Sequence, residues 1–295
     1  MNFVTYNYQG NEQIGICQTD QVVSLTELLN SPIDSMLDLI SSFQPEWLNI
    51  MDERLKSGEY RTIPVSSVKL LAPIPYPRRN VFCLGKNYVE HAQEIKLTGI
   101  TDTSIPQHPI YFTKVASPAI GQNDPILVSR QVTTQVDYEV ELAIVIGRDG
   151  INIKPEEAEE YIFGYTIAND VSARNLQANH LQWFKGKSLN NFCPLGPVLV
   201  HKSAFPLPLH LEIQCRINGE LRQNSNTKNM IFDIPHIISD LSKGMTLKAG
   251  DIICTGTPSG VGMGFEPPRY LADGDVMECY IEKIGKLTNQ IIFME

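Results

Sequence analysis

Residues 137–147 read DYEVELAIVIG. Asp137, Glu139, Glu141 and Ala143 fall on one side of an extended chain, with Tyr138, Val140, Leu142 and Ile144 on the other. β-Branched residues fill its second half and a glycine closes it, so the run reads as a strand. The same signature recurs on both sides. NVFCLG (80–85), IFGYTIAN (162–169), LGPVLV (195–200), HLEIQCRING (210–219), DIICTG (251–256), VMECYIEKIG (276–285) and TNQIIFM (288–294) are strand-like. Gly, Pro, Asp and Asn punctuate them. Helical spacing appears in NYVEHAQEI (87–95), PEEAEEYI (155–162), SARNLQANHLQ (172–182) and FDIPHIISDLS (232–242). Helix and strand do not alternate regularly. That argues against a doubly wound parallel sheet and for an α+β fold on a mixed, mainly β framework.

Upstream, FVTYNY (3–8) and IGICQ (14–18) read as two short strands. VVSLTELL (22–29), SMLDLISSF (35–43) and PEWLNIMDERLKSG (45–58) read as helical, with Pro45 at a start and Gly58 at a stop. SSVKLLAPIPYPRRN (66–80) carries three prolines and reads as an extended crossing. The expected division is a small α+β domain over residues 1–70 and a catalytic domain over 71–295.

The 295 residues are 42% hydrophobic, enough to bury a core without disulfides, and the formal net charge is −9. An acidic balance opposes binding to nucleic acid or to anionic membranes. It leaves anionic small substrates open, because they respond to the local field of a cleft. Six cysteines are scattered with no Cys-x-x-Cys pair, which fits reduced thiols and a cytoplasmic location. The N-terminus lacks a charged start followed by an apolar block, and no apolar run reaches ~18 residues. Neither a signal peptide nor a membrane span is expected.

Glu139 and Glu141, two residues apart on a strand, lie about 7 Å apart at the backbone. Either they sit on a solvated edge or they close around a cation, since like charges in an apolar run are costly alone. Oxygen ligands without Cys or His partners favour Mg2+ or Mn2+ over Zn2+. Asp170, between a strand-like and a helical run, is either a helix N-cap or a third ligand. His91 and Glu94 are spaced to share one helix face. A carboxylate on one imidazole nitrogen leaves the other as a base; the alternative is an incidental surface pair. TGTPSGVGMG (255–264) is either a plain turn or an anion nest. Its spacing is neither a P-loop nor a dinucleotide fingerprint.

Five segments, GKNYVEHAQE (85–94), DYEVELAIVIG (137–147), YTIANDVSARNLQ (165–177), KSLNNFCPLGP (187–197) and TGTPSGVG (255–262), together resemble the signature blocks of the fumarylacetoacetate hydrolase family. They occur in the family's order over roughly residues 70–295. The resemblance implies a mixed β-roll and a Mg2+ or Mn2+ ion held by Glu139, Glu141 and Asp170. It implies His91 and Glu94 on a mobile lid helix, with LTGITDTSIPQHPIYF (97–112) as a lid loop. Lys187 would stabilise developing oxyanion charge. Gln177 and Thr257 would contact substrate. Arg174 would join them and pair with a ligand carboxylate. A homodimer acting on a small 2-oxo acid is implied too.

The leading expectation is C–C bond cleavage through a metal-stabilised enolate, as oxaloacetate decarboxylation or acylpyruvate hydrolysis. The alternatives are an isomerase or hydratase of 2-oxo-ene-dioates, a sugar-acid dehydratase, or a non-enzymatic metabolite-binding module. His108, His180, His201, His210 and His236 show no metal-ligand spacing and read as structural or surface groups.

Overall fold

The computed structural model describes residues 1–94, 105–116 and 118–295. The chain opens with strands β1 (Asn2–Tyr8), β2 (Asn11–Gln18) and β3 (Gln21–Ser24) and helices α1 (Leu25–Leu29), α2 (Met36–Ser42) and α3 (Glu46–Ser57). Short strands β4 (Ile63–Pro64) and β5 (Lys69–Leu70) follow, then β6 (Val81–Gly85), α4 (Val89–Glu94), β7 (Ile110–Lys114) and β8 (Ile126–Ser129). The middle of the chain forms β9 (Val136–Asp137), β10 (Val140–Ile146), β11 (Ile162–Asn169), β12 (Ser172–Ala173), α5 (Arg174–His180), α6 (Phe184–Lys187) and β13 (Leu195–His201). It ends with β14 (Glu212–Ile217), β15 (Glu220–Asn226), α7 (Ile234–Ser242), β16 (Ile252–Cys254), β17 (Val276–Ile281) and β18 (Gly285–Met294). The expected α+β class with a mixed, mainly β framework is what the chain forms.

A long sheet runs in the order β4-β3-β2-β1-β13-β11-β10-β16-β6-β7, with β5 also on β1. A second sheet runs β15-β14-β17-β18-β8. The N-terminal strands join the long sheet directly: Asn2 faces Val200 and Phe3 faces Leu199 across the β1–β13 pair. β10 lies in the middle, antiparallel to both β11 and β16, and every residue in it is buried. Its alternation feeds two cores. Val140, Leu142, Ile144 and Ile146 pack with Ile213, Cys215, Met277 and Ile281 of the second sheet. Ala143 and Val145 pack with Phe3, Leu28, Leu39 and Phe163 under the N-terminal helices. Glu141 shares the face of Ala143 and Val145, at the end of that core.

Three local expectations need correction. Residues 22–24 pair with β2 as a strand before the short α1 begins, because Val22 and Val23 are β-branched and bury in the ladder. Pro155–Tyr161 is a 3₁₀ helix rather than an α-helix; Ala158 and Tyr161, three apart, face inward as that spacing requires. DYEVELAIVIG is not one continuous strand. Val136–Asp137 pairs with β12, whereas Val140–Ile146 pairs with β11. Between them the Glu139 amide donates to the Asn169 side chain at 3.0 Å instead of to a ladder carbonyl. The six cysteines are free thiols. Among the described residues no helix is long and apolar enough to cross a membrane.

Candidate metal and substrate site

The break before β10 is what places Glu139. Its carbonyl accepts from the Asp170 amide at 2.8 Å, tying the loop after β11 to the segment leading into β10. Glu139, Glu141 and Asp170 are all buried, and each can offer one oxygen so that the three lie within 4.8 Å of one another. Burial removes the reading of a solvated edge. Asp170 is not the N-cap of α5; that position falls to Ala173.

Three cations surround these carboxylates. Lys187 Nζ donates to Glu139 Oε2 at 2.6 Å and Asp170 Oδ2 at 2.7 Å. Arg174 donates to Glu139 Oε1 at 2.8 Å and through Nε to Asp137 Oδ2 at 2.8 Å. Lys114, fully buried at the end of β7, pairs with Asp170 Oδ1 and also donates to the Phe192 carbonyl. Burial favours protonation of Glu139, yet Lys187, Arg174 and His91 overcome it and hold its carboxyl down at about 2. Glu141 goes the other way. Burial and the charges of Asp170 and Glu139 push it well above the usual carboxylate range. Its hydrogen bond from the Gly256 amide, 2.7 Å, does not compensate. The repulsion of Asp170 and Glu139 thus falls on Glu141. A divalent cation bound by hard oxygens would correct it, so the residues present fit such an ion.

Asp137 shares its side of the sequence pattern with the two glutamates but is drawn away from them. It accepts from the amides of Tyr138, Gly262 and Met263 at 2.7–3.0 Å as well as from Arg174. The glycine-rich stretch 255–264 therefore is a nest of amides, but its anions belong to this chain. Gly256 serves Glu141, Gly260 serves Glu94 at 2.9 Å, and Gly262 and Met263 serve Asp137. Gly256 has φ +94, a backbone that a side chain would strain, and an added Cβ would also strike Asn87. Thr257 is buried in the same loop, its hydroxyl donating to the Val140 carbonyl at 2.9 Å and accepting from Gln223 at 2.7 Å.

His91 and Glu94 lie on α4 as their spacing requires. His91 is buried, and its Nδ1 sits 3.3 Å from Glu94 Oε2, leaving Nε2 for another partner. Of the expected lid loop, residues 97–104 lie outside the described residues, His108 is exposed, and its end, 110–112, belongs to β7 rather than to a loop.

Glu139, Glu141, His91, Arg174, Gln177, Lys187 and Thr257 line one partly open cavity. Asp170 is within hydrogen-bond distance of Lys187 behind it. Glu94 stands behind His91. The cavity's apolar wall is Leu84, Phe112, Trp183 and Met263. The Trp183 ring stands edge-on to Phe112, with centroids 5.3 Å apart, over which Lys187 Nζ lies at 5.4 Å from the centroid. One donor here is unspent. Arg174 Nη2 is buried without a hydrogen-bond partner among the described residues. An orphaned guanidinium N–H on a cavity wall needs an acceptor, and an anionic ligand supplies one.

Lys114, Trp183, Phe112 and Lys86 were missed in the sequence. Lys114 ends a run, IYFTK, that reads as a strand terminus, and nothing local distinguishes it from a surface lysine. Lys86 stands beside the recognisable NYVEH segment and lines the cavity. Lys185, two residues before the buried Lys187, is exposed.

A family model described as the fumarylacetoacetate hydrolase C-terminal domain matches residues 80–292. The chain is 51% identical to an oxaloacetate tautomerase, YisK of Bacillus subtilis, over 83% of this chain and 79% of that one. It is 45% identical to a mitochondrial oxaloacetate tautomerase of Xenopus laevis, over 77% and 69%. A solved fumarylacetoacetate hydrolase of Exiguobacterium antarcticum superposes with a TM-score of 0.85 at 42% identity, over all of both chains. A maleylpyruvate hydrolase of Sphingobium sp. SYK-6, solved with manganese(II) and pyruvate, superposes at 0.81 with 27% identity over all of both chains.

Proposed function

The chain belongs to the fumarylacetoacetate hydrolase family, and from that premise we propose that it is a divalent-metal-dependent oxaloacetate tautomerase. The observation that carries the reading is the cavity. It joins two carboxylates of a buried triad, with the third behind Lys187, to an unspent Arg174 N–H and a carboxylate-backed histidine. The relatives named for oxaloacetate tautomerisation move proton transfer ahead of bond cleavage as the reaction.

A Mg2+ or Mn2+ ion held by Glu139, Glu141 and Asp170 would polarise the C2 carbonyl of oxaloacetate and so acidify C3–H. The chain's own groups do the rest. Arg174 Nη2 donates to a substrate carboxylate, its missing partner, and Gln177, which accepts from Arg174 at 2.8 Å, fixes that guanidinium and presents its amide. His91 Nε2 takes the C3 proton and passes a proton to the C2 oxygen to give the enol; the reverse transfers return the enol to the keto form. Glu94 holds the ring through Nδ1. The Lys187 ammonium faces the charge that develops on the C2 oxygen. Thr257 lines the same wall.

Cleavage of the C3–C4 bond is the second reading, because it passes through the same enolate. The maleylpyruvate hydrolase neighbour and the His91–Glu94 pair, able to activate water, favour it. One assay separates the two. Enol-oxaloacetate is mixed with protein and Mg2+, and loss of enol absorbance is followed by stopped flow with an EDTA control. Pyruvate release is measured in parallel. EDTA-sensitive enol loss well ahead of pyruvate supports tautomerisation; pyruvate keeping pace assigns cleavage. No acceleration over Mg2+ alone rejects both. We also propose a cytoplasmic homodimer; light scattering at the mass of one 33.1 kDa chain would reject the dimer.

A further inference from the structure

Lys86 stands where a lysine is costly. It is buried, and it lines the same cavity as His91, Arg174 and Lys187. Lysines are almost never fully buried, because an ammonium taken out of water must be answered by charge or hydrogen bonds. The backbone of Lys86 has φ +56, in the left-handed region that a side chain disfavours and glycine enters freely. The next residue pins it there. The Asn87 side chain donates to the Phe232 carbonyl at 3.1 Å and the Thr255 carbonyl at 2.8 Å, and accepts from the Phe232 amide at 2.8 Å. The Asn87 carbonyl accepts from the Ile231 amide at 2.8 Å. On the other side, Gly85 lies so close to the Trp183 ring that a Cβ would fall 2.2 Å from it. Strain over-determined by its surroundings gathers at sites of function. Glycine would fit this backbone without strain, so what lysine adds at 86 is its side chain.

We propose that Lys86 binds the C4 carboxylate of the substrate, and so makes the cavity prefer four-carbon dicarboxylates to acids that lack the second carboxylate. The proposal deepens the tautomerase reading and rests on it for placing a 2-oxo acid here. In that reading Arg174 Nη2 meets one carboxylate of oxaloacetate, and the other still needs a cation. Arg174 and Lys187 are already engaged by Asp137, Glu139 and Asp170. The Leu84, Phe112 and Met263 side chains of the wall offer a carboxylate no donor. Lys86 brings a further cation to the wall from the end of β6, a strand that carries none of the triad. Without it the second charge of a dianion would lose water and gain no partner.

The test uses the full-length protein loaded with Mg2+. Calorimetric titrations compare L-malate with L-lactate, which is malate without its C4 carboxylate. Wild type should bind malate roughly 30-fold tighter, the lower end of what a buried charge pair contributes. Lys86→Met should bring malate to within about threefold of lactate and leave lactate as in wild type, whereas Lys86→Arg should keep most of the preference. With enol-oxaloacetate, Lys86→Met should raise KM by roughly 30-fold and leave kcat nearly unchanged. Lys86→Gly relaxes the backbone, so it should lose the malate preference yet unfold at no lower urea concentration than wild type. A merely structural lysine would weaken malate and lactate alike. That result, a wild type that does not prefer malate, or a Lys86→Met that still does, overturns the proposal. If Lys86→Met does not fold, Lys86→Gly decides in its place. If wild type shows a malate preference that Lys86 supplies but does not accelerate enol loss, the tautomerase reading fails and the dicarboxylate site stands.

Discussion

Gly264→Ala isolates the carboxylate behind His91. An added Cβ at 264 would lie 2.3 Å from the Glu94 carboxyl group and 2.4 Å from its Cγ. The obstacle is a side chain rather than backbone, and the φ of Gly264 is not in the left-handed region, so alanine brings no backbone strain. Glu94 must swing away. It then loses the amide of Gly260 at 2.9 Å and the His91 ring at 3.3 Å. A charge-assisted hydrogen bond contributes about 1.5–3 kcal/mol. Water recovers part of that here, because the Glu94 side chain is 16% exposed. The expected stability loss in urea is therefore about 1–2 kcal/mol. Turnover of enol-oxaloacetate should fall roughly 100-fold, the lower end of what a positioned base supplies. Glu94→Gln should show a similar loss, and adding Gly264→Ala to it should cost little more, because both changes remove one interaction. If the two losses multiply in the double variant, or if Gly264→Ala turns over like wild type, Glu94 does not act through His91.

Lys187→Met leaves Glu139 and Asp170 facing each other without their shared ammonium. In EDTA this should cost about 3 kcal/mol in urea denaturation, and Mn2+ should restore most of it; equal stability in EDTA refutes the pairing. His201 lies buried among Phe3, Phe43 and Phe163, and burial, with the N-terminal amine and Lys202, holds its pKa down at about 4. Its folded value lies below the unfolded one of about 6.5. The neutral ring's stabilisation is therefore complete above pH 6.5 and is lost as pH falls toward 4, by at most about 3 kcal/mol. His201→Phe should flatten the stability profile in that window, and an unchanged slope would show that another group titrates. Deleting residues 1–70 strips β1 from β13 and bares Leu199 and Phe163. The remainder should show no cooperative thermal transition by circular dichroism; a sharp one would mean that the rest folds alone.

Much of the site was legible because its groups cluster along the chain. Glu139 and Glu141 are two apart, His91 and Glu94 three apart, and period-two and helical spacing put such residues on one face before any tertiary contact forms. The strand character of β10, β11 and β13 followed from the same local rules. Distance in the chain hid the rest. Lys114 and Asp170 are 56 residues apart, and no periodicity links them. The break at Tyr138–Glu139 was equally hidden, because its cause is the Asn169 side chain 30 residues on, which takes the ladder's place. So was the role of the glycine loop, whose amides serve Glu141, Glu94 and Asp137 only once β16 has brought them together. The sequence by itself determined which side chains can carry charge and which face of their own element they occupy, since sterics within a few residues settle that. Only the tertiary structure decided which oxygen of each carboxylate is already taken, because the donors that take them arrive from other strands and their charges bind strongly only where folding has removed water.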